Sequence, residues 1–196
     1  MAPPVRWWTV DGGFAPDTDW SAGQIAVVGV AGQAGREAAR AAIRAALHAA
    51  IVQACGVAAQ AVVLHAPPGS GEAPYALVGG THRAAAAISH DGGLSLAAFR
   101  FDGRVGIDVM QVVPVPDWRA VARDYLGPVV AEALAALTDG ERDAAFARAW
   151  SEHEARLKCL GWPLREWIDG DEAALQACTC VPLSVPAGYV ATLAFG

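Results

Sequence analysis

Two segments that lie far apart in the sequence carry side chains able to bind a cation and a phosphate together. Asp108 lies in the hydrophobic run Val105–Val109, which predicts a buried strand. Glu154 and Lys158 follow Trp150 at intervals of four residues, so a helix would place all three on one face. Carboxylate oxygens suit Mg²⁺, which takes one or two protein carboxylates together with substrate phosphates, and a lysine can hold a phosphate as a point charge. The residue types alone therefore predict generic phosphate chemistry, without a substrate.

Each of these residues also has an ordinary structural interpretation. An aspartate at the end of a strand can cap a turn, although an acid buried in a strand is costly unless a charged partner, hydrogen bonds or a metal compensates. Glu154 and Lys158 could form a surface ion pair worth only a few tenths of a kcal/mol. His153 and Glu154 begin a zinc-protease HExxH pattern, but Leu157 stands where the second histidine is required. From the residues alone, both interpretations of the acids stay open.

A third segment, placed upstream of the other two, completes a resemblance to a known family. Ile88, Ser89, His90 and Asp91 precede the glycine–aspartate strand, and the helical segment reads tryptophan–serine–x–x–glutamate–alanine–x–x–lysine. In this order and spacing, the segments resemble the 4′-phosphopantetheinyl transferases of the Sfp (surfactin) type. The resemblance implies an α+β fold of two similar lobes related by a pseudo-twofold axis, each a small sheet packed on a long helix.

The resemblance also implies a role for each half of the chain. Residues 1–102 would form an N-terminal lobe with coenzyme A-binding elements, and residues 103–196 a C-terminal lobe with the metal site and the catalytic helix. Asp108 and Glu154 are expected to bind Mg²⁺ and to form the catalytic set with Lys158, and Glu154 is a candidate for activating the nucleophile. The residues expected to bind coenzyme A are Ser89, His90, Arg83, Lys158, Arg36 and Arg40.

The implied reaction is a group transfer between two partners. It moves 4′-phosphopantetheine from the co-substrate coenzyme A to a serine hydroxyl of an apo acyl or peptidyl carrier protein, and it releases adenosine 3′,5′-bisphosphate. The expected enzyme is a Mg²⁺-dependent phosphopantetheinyl transferase of the holo-[acyl-carrier-protein] synthase type. Because the nucleophile belongs to the carrier protein, the chain needs no Ser-His-Asp or Cys-His arrangement of its own.

Two departures from the family pattern keep a second interpretation open. Met110 stands two residues after Asp108, where many members have a third acid, and a thioether is a poor Mg²⁺ ligand, so water or Gln111 would have to fill that position. His153 stands where the family usually has a lysine, and a histidine is more often neutral. The alternative is an inactive relative that binds coenzyme A or a carrier protein without turnover.

The composition narrows the class of protein. The chain has 196 residues, of which 54% are hydrophobic and 17% charged, enough for a sizeable core and unlike a disordered chain. A formal net charge of −6 argues against a nucleic-acid binder. No apolar run predicts a signal peptide or a membrane span, so we expect a cytoplasmic protein with reduced cysteines and no membrane partner. A two-lobed chain completes its site without a second copy, which favours a monomer.

Local patterns predict an alternation of strands and helices. An amphipathic helix is expected over residues 33–54, with Arg36, Arg40 and Arg44 forming one basic stripe. Thr138 and Glu141 form a capping-box pattern that should open the motif helix, which is expected to end near residue 160. Short helices are expected at residues 117–126 and 129–137. Strands are expected at residues 24–31, 61–65, 75–78, 84–89, 94–99, 104–112, 178–185 and 189–195.

Overall fold

The computed structural model describes residues 2–9, 11–15, 18, 20, 25–33, 35–65 and 73–196. Within these ranges the chain forms an α+β fold, as predicted. The strands are β1 (Val5–Trp7), β2 (Ala26–Ala31), β3 (Val62–His65), β4 (Tyr75–Val78), β5 (His82–Asp91), β6 (Leu94–Arg100), β7 (Val105–Gln111), β8 (Thr179–Pro182) and β9 (Tyr189–Phe195). The helices are α1 (Arg36–Cys55), α2 (Trp118–Val121), α3 (Pro128–Ala135), α4 (Asp139–Leu160) and α5 (Glu172–Gln176).

The strands form two sheets, each with one long helix against it. The large sheet has the order β1-β2-β6-β5-β4-β3, with β1 parallel to β2 and every other pair antiparallel. The small sheet has the order β7-β9-β8 and is antiparallel throughout. Helix α1 packs on the large sheet and α4 on the small sheet. The internal twofold relation and the division at residues 102 and 103 stay predictions.

The two sheets face each other across a shared apolar core, so the layers run α1, large sheet, small sheet, α4. Leu96 and Ala98 of β6 meet Ile107 and Leu193 of the small sheet in this core. Alternate residues of β6 point the other way, and Phe99 packs in the core beneath α1. Strand alternation therefore assigns one face of each sheet to its own helix and the other face to the opposite sheet.

The start of α4 and the C-terminal ends of both long helices agree with the sequence-based prediction. Thr138 and Glu141 form the capping box of α4, because Glu141 Oε2 accepts hydrogen bonds from the Thr138 hydroxyl at 2.6 Å and from its backbone N–H at 3.3 Å. Gly56 follows α1 in the left-handed conformation, with φ of 62°, and Gly161 follows α4 with φ of 70°. Glycine accepts this conformation without steric cost, so each helix ends there.

The structure differs from the sequence-based expectation in a few elements. Strand β1 and helix α5 were not predicted, because both are short and gain their stability from the elements beside them. The helix expected over residues 117–126 is α2 followed by a π-helical turn, Ala122–Leu126. Residues 67–71, whose Pro-Pro-Gly-Ser-Gly sequence predicts a loop, lie outside the described residues, and so does the predicted strand start at Gln24. Among the helices described, none is long and apolar enough to cross a bilayer.

Candidate functional site

The predicted acids and lysine meet where α4 crosses β7. Lys158 Nζ lies 2.6 Å from Asp108 Oδ1 and 3.2 Å from Glu154 Oε2, so both carboxylates converge on one ammonium group. Glu154 and Lys158 are four residues apart on α4 and share its face, as the spacing predicts. Asp108 enters from the strand because its side chain alternates with the core residues Ile107 and Val109. The structure therefore brings together three residues that are up to 50 positions apart.

Hydrogen bonds to the carboxylate of Asp108 and to the backbone around it hold this residue in place. Ser89 on β5 donates its hydroxyl to Asp108 Oδ1 at 2.7 Å and accepts hydrogen bonds from Lys158 Nζ at 3.2 Å and from the Val109 N–H at 3.3 Å. The Ser151 hydroxyl lies 3.2 Å from the Asp108 carbonyl oxygen. The carboxylate is therefore fixed in orientation before any ligand binds.

Burial opposes the charge of this carboxylate. The Asp108 side chain is only 6% exposed, whereas those of Glu154 and Lys158 are 24% and 29% exposed. Loss of solvation raises the pKa of Asp108, Lys158 lowers it by attraction and by its hydrogen bond, and the nearby Glu154 raises it again. A further cation at this position would favour the ionised form of Asp108.

These side chains line a cavity of about 330 Å³ between the large sheet and α4. Its wall combines acids, a lysine and a histidine with the ring of Trp150, so both charged and apolar parts of a ligand can be accommodated. The lining residues are Ile88, Ser89, His90, Asp91, Asp108, Val109, Met110, Trp150, Glu154 and Lys158.

Positive charge from two helices, α1 and α4, reaches His90 at the edge of this cavity. Its Nδ1 lies 2.8 Å from Ser95 Oγ. Partial desolvation lowers the pKa of His90 most, and Arg40, Lys158, Arg44 and Arg36 lower it further, in that order of effect. The basic stripe of α1 is therefore close enough to the end of β5 for its charges to act on the His90 ring.

The remaining predicted coenzyme residues are placed as follows. Arg36 and Arg40 lie in the first two turns of α1, with their charges acting on His90. Ser89 lines the cavity but is 94% buried, with its hydroxyl donated to Asp108 rather than to solvent. Arg83 is at the far end of β5, 4.0 Å from the centroid of the Tyr75 ring, and lines a neighbouring cavity of about 340 Å³ that also reaches Lys158. Their roles in binding a coenzyme stay predictions.

The two departures from the family pattern have different surroundings. Met110 lines the cavity and packs on the apolar cluster beneath α2 and α3. Gln111 points to the other side of β7, and a Cβ on Gly92 would lie 3.0 Å from its Oε1, so Gln111 does not line this cavity. His153 is 91% buried and lines a different cavity, on the side of α4 away from Glu154. The position of His153 therefore has little bearing on the charge beside Asp108.

The carboxylate pair suits a hard cation in its donor chemistry. Asp108 and Glu154 contact Lys158 through Oδ1 and Oε2, and carboxylate oxygens are the protein ligands that Mg²⁺ takes. Within the described part of the chain, no three histidine, cysteine, aspartate or glutamate side chains are arranged so that they could hold a metal ion together. A metal at this position would therefore draw its remaining ligands from water and substrate.

Sequence reasoning missed three residues that build the site. Ser151 anchors the Asp108 backbone, Ser95 contacts His90, and the Asp91 carboxylate accepts the Gln111 N–H at 2.6 Å, which ties β5 to β7. Asp91 was visible in the sequence beside His90, but nothing in its pattern indicated a bond across the two sheets. Ser151 was visible beside Trp150, yet only the helix rotation shows that it faces β7.

Comparison with known proteins extends the resemblance beyond the motifs. Residues 104–190 match the family model of the 4′-phosphopantetheinyl transferase superfamily. The 4′-phosphopantetheinyl transferase HetI of Nostoc sp. is 32% identical over 74 residues, which are 38% of this chain and 31% of that protein. A putative 4′-phosphopantetheinyl transferase of Synechocystis sp. is 27% identical over 74 residues, 38% of this chain and 30% of that protein.

The extent of these matches defines what they support. The matched region covers less than a third of the length of either relative. The family model, however, spans β7 and α4, the elements that carry Asp108, Glu154 and Lys158. The comparisons therefore support a similarity to the 4′-phosphopantetheinyl transferase superfamily for the part of this chain that builds the site.

Proposed function

We propose that this protein is an Sfp-type phosphopantetheinyl transferase of the holo-[acyl-carrier-protein] synthase type. The reaction transfers 4′-phosphopantetheine from coenzyme A to a serine hydroxyl of an apo acyl or peptidyl carrier protein. The serine oxygen forms a bond to the β-phosphorus of coenzyme A, the bond from that phosphorus to the bridging oxygen breaks, and adenosine 3′,5′-bisphosphate leaves. The serine proton passes to a base on the enzyme.

One observation carries this proposal. Asp108 and Glu154, from a strand and a helix 46 positions apart, converge within 3.2 Å of a single ammonium nitrogen in a cavity edged by His90. An ordinary surface ion pair would not include a carboxylate that is 94% buried. Burial of a charged group at a cost to stability is typical of sites kept for function.

The donor set fits Mg²⁺, and Asp108 and Glu154 are the residues that would hold it. When bound by these residues, such an ion would supply positive charge at the pyrophosphate and so would stabilise the leaving group. Lys158 contacts both acids, which limits their mutual repulsion and keeps an ammonium beside the phosphates. Met110 offers no oxygen, so water takes the place of a third protein ligand.

The other side chains bind, orient and move a proton. Ser89 positions Asp108 through its hydroxyl, and this role comes in addition to its expected contact with the coenzyme. His90, Arg36 and Arg40 present positive charge to the coenzyme phosphates, with Arg83 in the neighbouring cavity. Glu154, partly exposed on the cavity wall, takes the serine proton directly or through a water.

The partners and setting follow from the same proposal. The second substrate is an apo acyl or peptidyl carrier protein that presents its serine at the cavity mouth, and coenzyme A is the donor. We propose that the protein acts in the cytoplasm as a monomer, with no nucleic-acid or membrane partner, in the assembly of secondary metabolites.

The direct test mixes purified protein with coenzyme A, Mg²⁺ and a panel of apo acyl and peptidyl carrier proteins, and then weighs the carriers. We expect at least one carrier to gain the mass of one 4′-phosphopantetheinyl group. Asp108→Ala and Glu154→Ala should each reduce the transfer rate by about a hundredfold or more, because each removes charge stabilisation at the pyrophosphate.

The control is Asp102→Ala, which removes an exposed acid from the turn between β6 and β7. It should transfer at the wild-type rate. Full activity of Asp108→Ala would contradict the metal assignment, and no mass gain across a broad carrier panel would contradict the transferase assignment.

A binding protein without turnover is the second candidate, and Met110 is the observation that favours it. A site with only two protein carboxylates binds Mg²⁺ more weakly than one with three. This candidate predicts that coenzyme A binds with an affinity that does not depend on Mg²⁺ and that no carrier gains mass. Calorimetry with and without Mg²⁺, run beside the transfer assay, separates the two candidates.

A further inference from the structure

Lys158 is the one lysine in a chain that otherwise uses arginine for its basic side chains. Among the 14 lysine and arginine residues of the sequence, every other one is an arginine. Arginine presents a planar, rigid head, whereas lysine carries a compact ammonium on a flexible stem with rotatable donors. The residue type at this position therefore supplies a positive charge that can turn from one partner to another.

Three oxygens of the protein surround the ammonium group of Lys158. Its Nζ lies 2.6 Å from Asp108 Oδ1, 3.2 Å from Glu154 Oε2 and 3.2 Å from Ser89 Oγ. An ammonium group has three N–H donors and no acceptor. Each donor therefore has an acceptor within the protein, and a phosphate can be bound by this ammonium only if at least one of the three contacts breaks.

The two carboxylates cannot hold a divalent cation and this ammonium together without strong repulsion. Mg²⁺ binds carboxylate oxygens at about 2.1 Å, so an ion on Asp108 Oδ1 would lie within about 5 Å of an ammonium that stayed 2.6 Å from that oxygen. Like charges at this distance repel, and the repulsion is larger here because the Asp108 side chain is 94% buried and water screens it poorly. Binding of the cation therefore favours departure of the ammonium.

The surroundings of the Lys158 side chain leave it space to move. This side chain lines the cavity of the candidate site and two further cavities. One has a volume of about 230 Å³ and is also lined by Pro74 and Trp162, and the other, of about 340 Å³, is also lined by Arg83. Because the lysine side chain is 29% exposed and borders all three spaces, its ammonium can turn away from the acids without leaving the cleft.

We propose that Lys158 is a displaceable counter-ion for the acid pair. In the free protein its ammonium offsets the charge of Asp108 and Glu154; it leaves them when a divalent cation binds, and it then contacts a phosphate of coenzyme A. This inference rests on the proposed function and adds a regulatory consequence to it. The displaced ammonium has a new partner only when a phosphate is present, so the cation and coenzyme A should each raise the affinity of the other by the same factor.

The first test measures Mn²⁺ binding to the full chain in the absence of coenzyme A, from the electron paramagnetic resonance of free Mn²⁺. Mn²⁺ takes the same oxygen ligands as Mg²⁺. Lys158→Met removes the charge and keeps an unbranched side chain, so this variant should bind Mn²⁺ at least about tenfold more tightly than the wild type. The titrations are made at about pH 8, where protons compete little for carboxylates.

Two control variants separate displacement of the ammonium from a general change in charge. Arg148→Met also removes one positive charge from α4, but Arg148 is exposed and does not line the site cavity, so this variant should bind Mn²⁺ as the wild type does. Lys158→Arg keeps the charge and should show no gain in affinity. Thermal unfolding followed by circular dichroism checks that each variant is folded.

The second test observes Lys158 in the wild type and needs no variant. Because the sequence contains a single lysine, lysine labelled with ¹³C at Cε gives one lysine resonance in the NMR spectrum. We expect this resonance to shift saturably when Mg²⁺ and coenzyme A are added together. A resonance that does not move at concentrations that saturate binding in calorimetry would overturn the proposal.

The outcomes distinguish a failure of this proposal from a failure of the proposed function. If carrier proteins gain mass but Lys158→Met binds Mn²⁺ no more tightly than the wild type, the displacement is wrong and the transferase assignment stands. An equal gain in affinity for Arg148→Met would lead to the same conclusion. If neither the wild type nor Lys158→Met binds Mn²⁺, the displacement is wrong as well, and the lack of any mass gain would then contradict the transferase assignment too.

Discussion

Asp108 is the residue at which stability and function oppose each other. It lies among apolar strand residues, and the same burial that places it beside α4 makes its charge costly. Ser89 and Lys158 offset part of that cost through hydrogen bonds at 2.7 and 2.6 Å. A carboxylate that is pre-oriented but poorly solvated gains more than a surface acid does when a cation or a substrate charge binds near it.

Replacement of Asp108 by asparagine should therefore change how stability depends on pH. Because the folded-state pKa of Asp108 is raised, the unfolded chain ionises first as pH rises through the ordinary aspartate value of 3.8. In that window the folded state loses stability relative to the unfolded state, and the loss is complete above the folded pKa. The free energy of unfolding of the wild type should thus fall relative to Asp108→Asn as pH rises from 3.8 through the folded-state pKa of Asp108.

Urea denaturation at several pH values measures this difference. Asp102→Asn, on the exposed turn, is the matched control and should follow the wild type across the range. A wild type that gains stability relative to Asp108→Asn as pH rises would show that Lys158 outweighs burial, and it would reverse our account of the site.

At the scale of elements, the site depends on how closely α4 approaches β7. Gly106 makes this approach possible, since a Cβ there would overlap the carbonyl oxygen of Ala155 and the backbone nitrogen of Cys159. The helix backbone rests on the strand at that point, two residues from Asp108. Ser151, Ala155 and Cys159 form the face of α4 that meets the sheet, so the neighbouring face with Glu154 and Lys158 opens toward β5.

Gly106→Ala should consequently destabilise the protein by about 2–3 kcal/mol, because backbone atoms on both sides of the contact must move. Gly140→Ala is the matched control in the first turn of α4, where a Cβ meets nothing within 4 Å. That change should stabilise the protein by about 0.5–1 kcal/mol. Denaturant titration measures both, and equal stability of the two variants would contradict the close packing described here.

At the scale of the whole molecule, the positive charges near His90 are opposite in sign to the net charge of the chain. The net charge is −6, yet arginines of α1 and Lys158 of α4 act together on His90 at the end of β5. These groups come from α1 and α4, the two outer layers of the fold. Both act on His90 because the end of β5 lies between those layers. A cleft can concentrate positive potential in this way whatever the total charge of the protein.

Removal of one of these charges should be measurable at His90. Arg40 has the largest effect of the charged groups on this ring, so Arg40→Ala should raise the His90 pKa, because the protonated ring then meets less repulsion. Arg36→Ala should raise it less, since Arg36 has the smallest effect. NMR titration of the histidine side chains measures both shifts.

Salt provides the internal control for this prediction. Added salt should reduce the difference between wild type and Arg40→Ala, because these charges interact partly through solvent. A His90 pKa that is unchanged in Arg40→Ala would place the stripe too far away to serve a ligand bound at His90.

The sequence by itself determined the local elements and the candidate chemistry. Helical spacing placed Glu154 and Lys158 together, the capping box at Thr138 fixed the start of α4, and alternation marked the strand of Asp108; each is set by contacts within a few residues. The α+β class was implied by the family resemblance, and the predicted order of strands and helices agrees with it. Short elements such as β1 and α5 escaped because packing, not local preference, stabilises them.

Only the tertiary structure decided which side chains face the same cavity. The sequence put His153 beside Glu154 and so suggested a shared site, but the rotation of about 100° per helical residue turns the two toward different cavities. Gln111 was turned away from the site by strand alternation, and Ser89 was turned inward to hold Asp108. Neighbours in sequence constrain backbone conformation, whereas the convergence of side chains depends on how distant elements pack, which no local pattern encodes.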